Sequence, residues 1–170
     1  MHVTLKACEV RSWRASDLES LVTYANNRNI WVNLRDRFPH PYTTRDGSAF
    51  LKHTREQRPE TAFAIAVNGE AVGGIGFQLG SDVERVSAEI GYWLGEPFWG
   101  RGIAIEGAKA AVGAAFEHLR PARLISLIDP DNQRSVAVAK RLGMRDLGSV
   151  EHGERDLLLC LYALQNPVTH

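Results

Sequence analysis

The sequence predicts an α/β fold: a mixed, largely antiparallel sheet of about seven strands with helices on both faces. Three observations carry this prediction. Asn68-Gly69 joins two apolar runs, and that pair is a strong hairpin signal because a type I′ turn needs positive φ at both positions. The strand pattern through Leu94 gives way after Phe98 to a long stretch with a helical repeat. A strand, a helix and two further strands then follow, so an antiparallel meander feeds a crossover.

The elements follow in order. Residues 3–12 read as one opening strand ending at Trp13. Ser16-Asp17-Leu18-Glu19 reads as a capping box that opens a helix running to Asn26. Asn26 to Tyr42 mixes polar and aromatic residues and is closed by Pro39 and Pro41, so a short helical piece near Ile30 to Leu34 and then a loop are expected. Thr44 caps the next helix, with Phe50, Leu51 and Thr54 facing inward.

Ala62 to Val67 is a short apolar strand, and Val72 to Leu79 is its return. Gly73, Gly74 and Gly76 within that return point to a bulge or a close backbone approach. Arg85 to Leu94 alternates, with Val86, Ala88, Ile90, Tyr92 and Leu94 on one face and Arg85, Ser87, Glu89, Gly91 and Trp93 on the other. Ile103, Gly107, Ala111, Ala115 and Leu119 then recur every four residues, opposite Glu106, Lys109 and Glu117. Such a small-residue face lets a helix lie close to a sheet. Leu124 to Ile128 is a buried strand stopped by Pro130. Asp131 or Asn132 caps a helix through Leu142, which Gly143 ends. Two closing strands, about 145–151 and 154–163, turn near His152-Gly153.

Bulk composition narrows the functional classes. The 170 residues suit one domain spanning 1–170. Lys plus Arg and Asp plus Glu are both 20, and zero net charge argues against nucleic acid as the main partner. The two cysteines, Cys8 and Cys160, form no CxxC pair and read as core residues near strand ends. The histidines show no paired spacing on a helix, so no metal site is expected. No apolar run approaches the length of a membrane helix and no export signal opens the chain, so a cytoplasmic protein with no membrane partner is expected.

The chemistry concentrates between Glu89 and Ala104. A strand ends, and Gly100-Arg101-Gly102 opens the long helix. Two glycines let backbone N–H groups converge, and the helix start adds about half a positive charge. Together they form a phosphate cradle that needs no lysine, with Arg101 at its rim. A tight turn is the plain alternative. The pattern lacks the third glycine of a dinucleotide fingerprint, since position 105 is Ile105, and no Gly-Lys-Ser/Thr occurs. A companion block lies one strand later: Asn132-Gln133-Arg134-Ser135, then Lys140-Arg141-Leu142-Gly143-Met144.

These paired blocks resemble the GNAT superfamily of acetyl-coenzyme A-dependent N-acetyltransferases, within it the branch of Rim-type ribosomal-protein N-terminal acetyltransferases. The family's loop is written Gln/Arg-x-x-Gly-x-Gly/Ala; here it reads Pro97-Phe98-Trp99-Gly100-Arg101-Gly102, departing at Pro97. Met144 stands where the family's second block has phenylalanine. The resemblance implies a GNAT-like sheet whose central strands, Arg85–Leu94 and Leu124–Ile128, splay apart to admit acetyl-coenzyme A. It implies cofactor contacts at Trp93, Leu94, Trp99, Gly100, Arg101, Gly102, Ile103, Ala104 and Asn132. Trp93 and Leu94 would pair with pantetheine amides, and a backbone N–H there would meet the oxyanion. A homodimer is in keeping with the family.

Direct transfer to a primary amine, a protein N-terminal α-amine or a small molecule, is then the expected reaction. Glu89 is the expected base: it lies on the strand flanking the thioester, and a carboxylate is costly to bury there without a reason. Its plain alternative is a solvated strand residue or an ion pair with Arg85 or Arg123. Glu151, Glu154 and Asp156 rank below it. Ser135, at the matching position of the second block, is the expected proton donor, or else a helix-start serine bonded to its own backbone. Trp31, Phe38, His40 and Tyr42 are expected to form the acceptor wall, with Arg35, Arg28 and Arg37 available to a carboxylate; a packed surface loop is the alternative. A catalytically inactive acetyl-coenzyme A-binding regulator of the same fold is the rival function.

Overall fold

The computed structural model describes residues 1–34, 38–82, 86–152 and 157–167. In chain order the elements are β1 His2–Thr4, β2 Glu9–Ser12, α1 Leu18–Ala25, α2 Arg28–Trp31, α3 Thr44–Glu56, β3 Ala62–Val67 and β4 Glu70–Leu79. These are followed by β5 Ser87–Leu94, α4 Ile103–His118, β6 Arg123–Ile128, α5 Gln133–Arg141, β7 Arg145–His152 and β8 Leu157–Gln165. Hydrogen bonding orders the eight strands β1-β2-β3-β4-β5-β6-β8-β7. The sheet is mixed and largely antiparallel as expected, with β5 and β6 parallel. Among the described residues it has eight strands, not about seven, because the opening stretch folds back on itself. Leu5 N–H donates to the Cys8 carbonyl at 2.8 Å, and β1 and β2 pair antiparallel from His2↔Arg11 to Thr4↔Glu9.

By internal contacts the chain forms two compact units, one of Met1–Gly76 with Tyr92–Ala111, the other of Phe77–Gly91 with Val112 onward. In the first unit the hairpin is as read: Asn68 and Gly69 have φ of 50° and 84°, and β4 begins at Glu70, opposite Val67, rather than at Val72. The register slips between Ile65↔Gly73 and Ala66↔Ala71, which leaves Val72 as the extra residue of a bulge. A Cβ on Gly73 would stand 2.5 Å from the Trp93 carbonyl oxygen, and one on Gly74 2.7 Å from the Trp93 ring nitrogen. Gly73 and Gly74 are therefore there for the close approach of the end of β5, whereas Gly76 lies against Thr61 and Ala62.

Two helix starts differ from the sequence reading. Neither Ser16 nor Glu19 caps α1: Asp17 stands at its N-cap with no side-chain cap bond, and its Oδ2 instead accepts from the Arg14 N–H at 2.8 Å across the preceding 3-10 turn Ala15–Asp17. Asp17 holds that place because both its oxygens accept from the Arg11 guanidinium at 2.8 Å, inside the protein. Thr43, not Thr44, caps α3, in a reciprocal box with Asp46. The short helical piece is also shifted, from Ile30–Leu34 to Arg28–Trp31. The α3 face is as expected, with Leu51 and Thr54 buried and Phe50 half-buried on a core of Trp13, Leu21, Ala25, Tyr42, Leu51, Ala64 and Ala71.

Helix α4 buries the stripe Ile103, Gly107, Ala111 and Ala115. A Cβ on Gly107 would stand 3.5 Å from Ile65 and Val10, an ordinary contact, so this face of α4 packs on β2 and β3 and would admit an alanine. Glu106 does not face away as read; its Oε2 accepts from the Ala7 N–H at 3.0 Å.

In the second unit β6 pairs antiparallel with β8 from Arg123↔Gln165 to Ile128↔Cys160, and β8 with β7. Cys160 is therefore mid-strand rather than near an end, and half-buried, whereas Cys8 is buried just before β2. Asn132 caps α5 and Gly143, at φ of 79°, follows it. The turn expected near His152-Gly153 lies largely outside the described residues.

Candidate active site

The loop Trp99–Gly102 belongs to the first unit. Gly100 and Gly102 have φ of 74° and 78°, the left-handed region that glycine enters at no steric cost. A Cβ at either position would meet nothing within 4 Å, so the glycines serve the backbone conformation and leave the loop open to solvent. The Gly102 carbonyl accepts the Glu106 N–H at 3.1 Å and starts α4. The N–H groups of a first helical turn have no acceptor within the helix, so those of Ile103 and Ala104 suit an anion. The Ile103 side chain is buried, which limits its part to the main chain. Arg101 is exposed and lies over the Phe98 ring at 5.4 Å.

Trp99 has a structural task that the sequence did not reveal. Its Nε1 donates to the Leu94 carbonyl at 2.7 Å, bracing the loop on the end of β5. One turn of 3-10 helix, Glu96–Phe98, links the two, with Gly95 N–H on the Val72 carbonyl at 2.7 Å. Leu94 thus spends part of its carbonyl capacity on Trp99, which narrows the pantetheine role read for it.

The acceptor-side residues separate into two groups. Trp31 and His40 stack at 5.3 Å. Phe38 packs on Tyr42 at 5.0 Å and on Trp93 at 6.2 Å. The second group lines a cavity of about 260 Å³ with Leu21, Asp46 and Phe50. Phe38 and Tyr42 therefore share a site with Trp93, whereas Trp31 and His40 stand beside it. Burial pushes the Tyr42 phenol up to about 12, with the Asp46 charge adding to it, so it stays a neutral group. Asp46 Oδ2 accepts from both the N–H and the hydroxyl of Thr43, and those bonds hold its carboxyl below the usual range. Arg35 and Arg37 lie outside the described residues, and Arg28 is exposed.

In the second unit β5 and β6 are registered at Ser87↔Arg123, Ala88↔Leu124 and Glu89↔Ile125, although β6 runs on to Ile128. At the next position a side chain takes over: Ser126 Oγ donates to the Ile90 carbonyl at 3.4 Å. The parallel ladder thus lapses just past Glu89, where the expected splay begins. Ser126 was not singled out from the sequence, since a serine in an apolar run gives no signal of its own. Glu89 is half-buried. Arg123, one of its suggested partners, donates from Nε to Ser87 Oγ at 2.7 Å. Asn132 Oδ1 accepts the Ser135 N–H at 3.3 Å, and Asn132 Nδ2 donates to Ser135 Oγ at 3.0 Å. A hydroxyl that accepts in this way still carries an O–H to donate. Glu151 is exposed on β7, and Glu154 and Asp156 lie outside the described residues. Among the described residues no three His, Cys, Asp or Glu side chains are grouped to hold a metal ion, and no helix is long and apolar enough to cross a membrane.

Comparison with known proteins bears on this arrangement. The model of the acetyltransferase (GNAT) domain matches residues 8–145. An uncharacterized N-acetyltransferase, p20, of Bacillus licheniformis is 31% identical over 150 residues, covering 86% of this chain and 83% of that protein. The ribosomal-protein-S5-alanine acetyltransferase of Vibrio fischeri superposes with a TM-score of 0.83 at 16% identity, covering 99% of this chain and 98% of that one. A ribosomal-protein α-N-acetyltransferase, RimL, solved in complex with coenzyme A, superposes with a TM-score of 0.82 at 21% identity, covering 97% and 98%. The chain belongs to the GNAT acetyltransferase family, and its activity is N-acetylation with acetyl-coenzyme A as the acetyl donor.

Proposed function

We infer that the acceptor is a protein or peptide N-terminal α-amine, acetylated by direct attack in a ternary complex. The cavity carries this reading: Phe38, Tyr42, Phe50 and Trp93 offer an apolar seat of about 260 Å³ with one carboxylate, Asp46, at its lining. A first side chain fits such a seat, and a nearby carboxylate favours an ammonium approaching it. A polyamine calls for several carboxylates along its length. A spermidine N(1)-acetyltransferase of Escherichia coli, 25% identical over 146 residues, keeps the small-amine reading as the second candidate.

On this reading the main-chain N–H groups of the Gly100–Ala104 stretch take the diphosphate, with Arg101 adding charge at the rim. Trp93 and Leu94 align the pantetheine arm by main-chain groups. Asn132 borders the cofactor as well as capping α5. Bound acetyl-coenzyme A supplies an activated acyl carbon; the amine bonds to it as the carbon–sulfur bond breaks. Glu89 takes the proton that the ammonium must lose, directly or through water. Ser135, oriented by Asn132, gives its proton to the leaving thiolate and regains one, directly or through water, from the attacking nitrogen as that nitrogen becomes the amide.

A thiol-release assay over hexapeptides differing in their free first residue, with spermidine as comparator, tests the reading. Turnover that varies with the first residue and falls on Phe38→Ala supports it. Preference for spermidine selects the small-amine reading. Coenzyme binding without turnover of any amine selects the rival, an inactive regulator.

A further inference from the structure

The Asn26–Tyr42 stretch carries a run of asparagines that the cavity lining does not include. Each has a definite partner. Asn26 Oδ1 accepts the Tyr42 N–H at 3.0 Å, closing the segment on itself. Asn27 caps α2 by accepting the Asn29 N–H at 2.8 Å, while its Nδ2 donates to Glu96 Oε2 at 2.7 Å. Asn29 Nδ2 lies 3.2 Å from both Glu96 oxygens. Tyr24, at the end of α1, packs edge-on against Phe98 at 5.4 Å, and a Cβ on Gly95 would come within 2.9 Å of its ring.

The two flanks of Glu96 matter. Before it, Gly95 is fixed to Val72, and after it Trp99 is fixed to Leu94. Glu96 thus projects from a braced single turn that leads directly into Trp99–Gly102. Its carboxylate grips the first residues of α2, the helix that carries Trp31. A charged acceptor shared by two amide donors is stronger than neutral pairs and has one geometry in which all the bonds form.

We propose that Glu96 is a positioning residue that transmits the state of the cofactor loop to the acceptor-side helix α2, through its bonds to Asn27 and Asn29. The proposal rests on the reading of Trp99–Ala104 as the coenzyme loop and of Asn26–Tyr42 as the acceptor side. Filling the loop then steadies residues 28–34, and acceptor binding improves in the presence of coenzyme.

Hydrogen exchange of amides 28–34, with and without coenzyme A, tests this in the wild type, Glu96→Ala and Asn27→Ala/Asn29→Ala. The wild type is expected to gain protection at 28–34 on adding coenzyme A, and both variants to lose that gain while still binding it. Coenzyme-induced protection that is absent in the wild type, or that persists in Glu96→Ala, overturns the proposal. Kinetics give a second measure, with the hexapeptide best used in the thiol-release assay or, if none is turned over, spermidine. KM for that acceptor should rise about fivefold in Glu96→Ala with kcat and coenzyme Kd little changed. Adding the asparagine changes to Glu96→Ala should cost nothing more, since they remove the same bonds. A Phe38→Ala control, at the cavity lining, separates the two failures. If it leaves acceptor KM unchanged, the acceptor-side reading falls; if it raises KM and Glu96→Ala does not, Glu96 alone falls.

Discussion

The indole N–H of Trp99 reaches back to the Leu94 carbonyl at 2.7 Å, so the last residue of β5 holds the entrance of the Trp99–Gly102 loop, the proposed seat of the coenzyme diphosphate. Loss of one such bond costs about 1 kcal/mol, which corresponds to roughly fivefold in a dissociation constant. Trp99→Phe is therefore expected to weaken acetyl-coenzyme A binding about fivefold and leave kcat nearly unchanged. Calorimetric titration reads this directly, and an unchanged Kd would show that the brace is idle.

Gly102 is constrained by its φ of 78° and not by lack of room. An L-residue with a Cβ pays about 1–2 kcal/mol there, and asparagine less than alanine. Gly102→Ala should weaken coenzyme binding about tenfold, and Gly102→Asn distinctly less. Equal losses in the two would point to obstruction of the bound diphosphate instead of backbone strain.

Glu89 sits at the last registered pair of β5 and β6, opposite Ile125. If it is the base, Glu89→Gln should lower kcat about a hundredfold while coenzyme Kd holds. The acid limb of the pH–rate profile should flatten in the variant. A profile of unchanged shape would remove Glu89 from proton transfer.

Asp17 is 5% exposed and bonded twice to Arg11. Burial pushes its carboxyl up, but the Arg11 guanidinium and the Arg14 N–H outweigh that and hold it below the usual range. A depressed carboxyl stabilises the fold above the ordinary carboxylate pKa, and this stabilisation is lost as pH falls through the lowered value. Asp17→Asn should cost about 3 kcal/mol at neutral pH, because it leaves Arg11 charged and buried. Urea unfolding at pH 7 and pH 3 should show the gap between the two proteins narrowing in acid.

Tyr42 is 4% exposed and its phenol is raised to about 12. The folded state thus favours the neutral form, so stability falls as pH climbs from the ordinary phenol value toward 12. Tyr42→Phe should lose less melting temperature than the wild type between pH 9 and pH 11.5. Parallel curves would show that the phenol is not what burial strains.

The sequence by itself determined the local grammar. Asn68-Gly69 could only be a tight hairpin, because both residues tolerate positive φ. The repeat from Ile103 to Ala115 fixed which face of α4 is buried. Gly100 and Gly102 marked a backbone that other residues avoid. Each of these is written in neighbouring residues, whose spacing is set by bond geometry alone. What only the tertiary structure decided depends on residues far apart in the chain. The first helix goes without a side-chain cap because Asp17, at its start, gives its carboxylate to Arg11 on a strand and to the Arg14 N–H. Phe38 and Tyr42 share a cavity with Trp93, while Trp31 and His40 stack apart, because packing across some fifty residues chose among aromatics that look alike in sequence. Glu96 found Asn27 and Asn29 in the same way. Such pairings form only when the fold has already brought the partners within hydrogen-bond reach, and no local pattern records them.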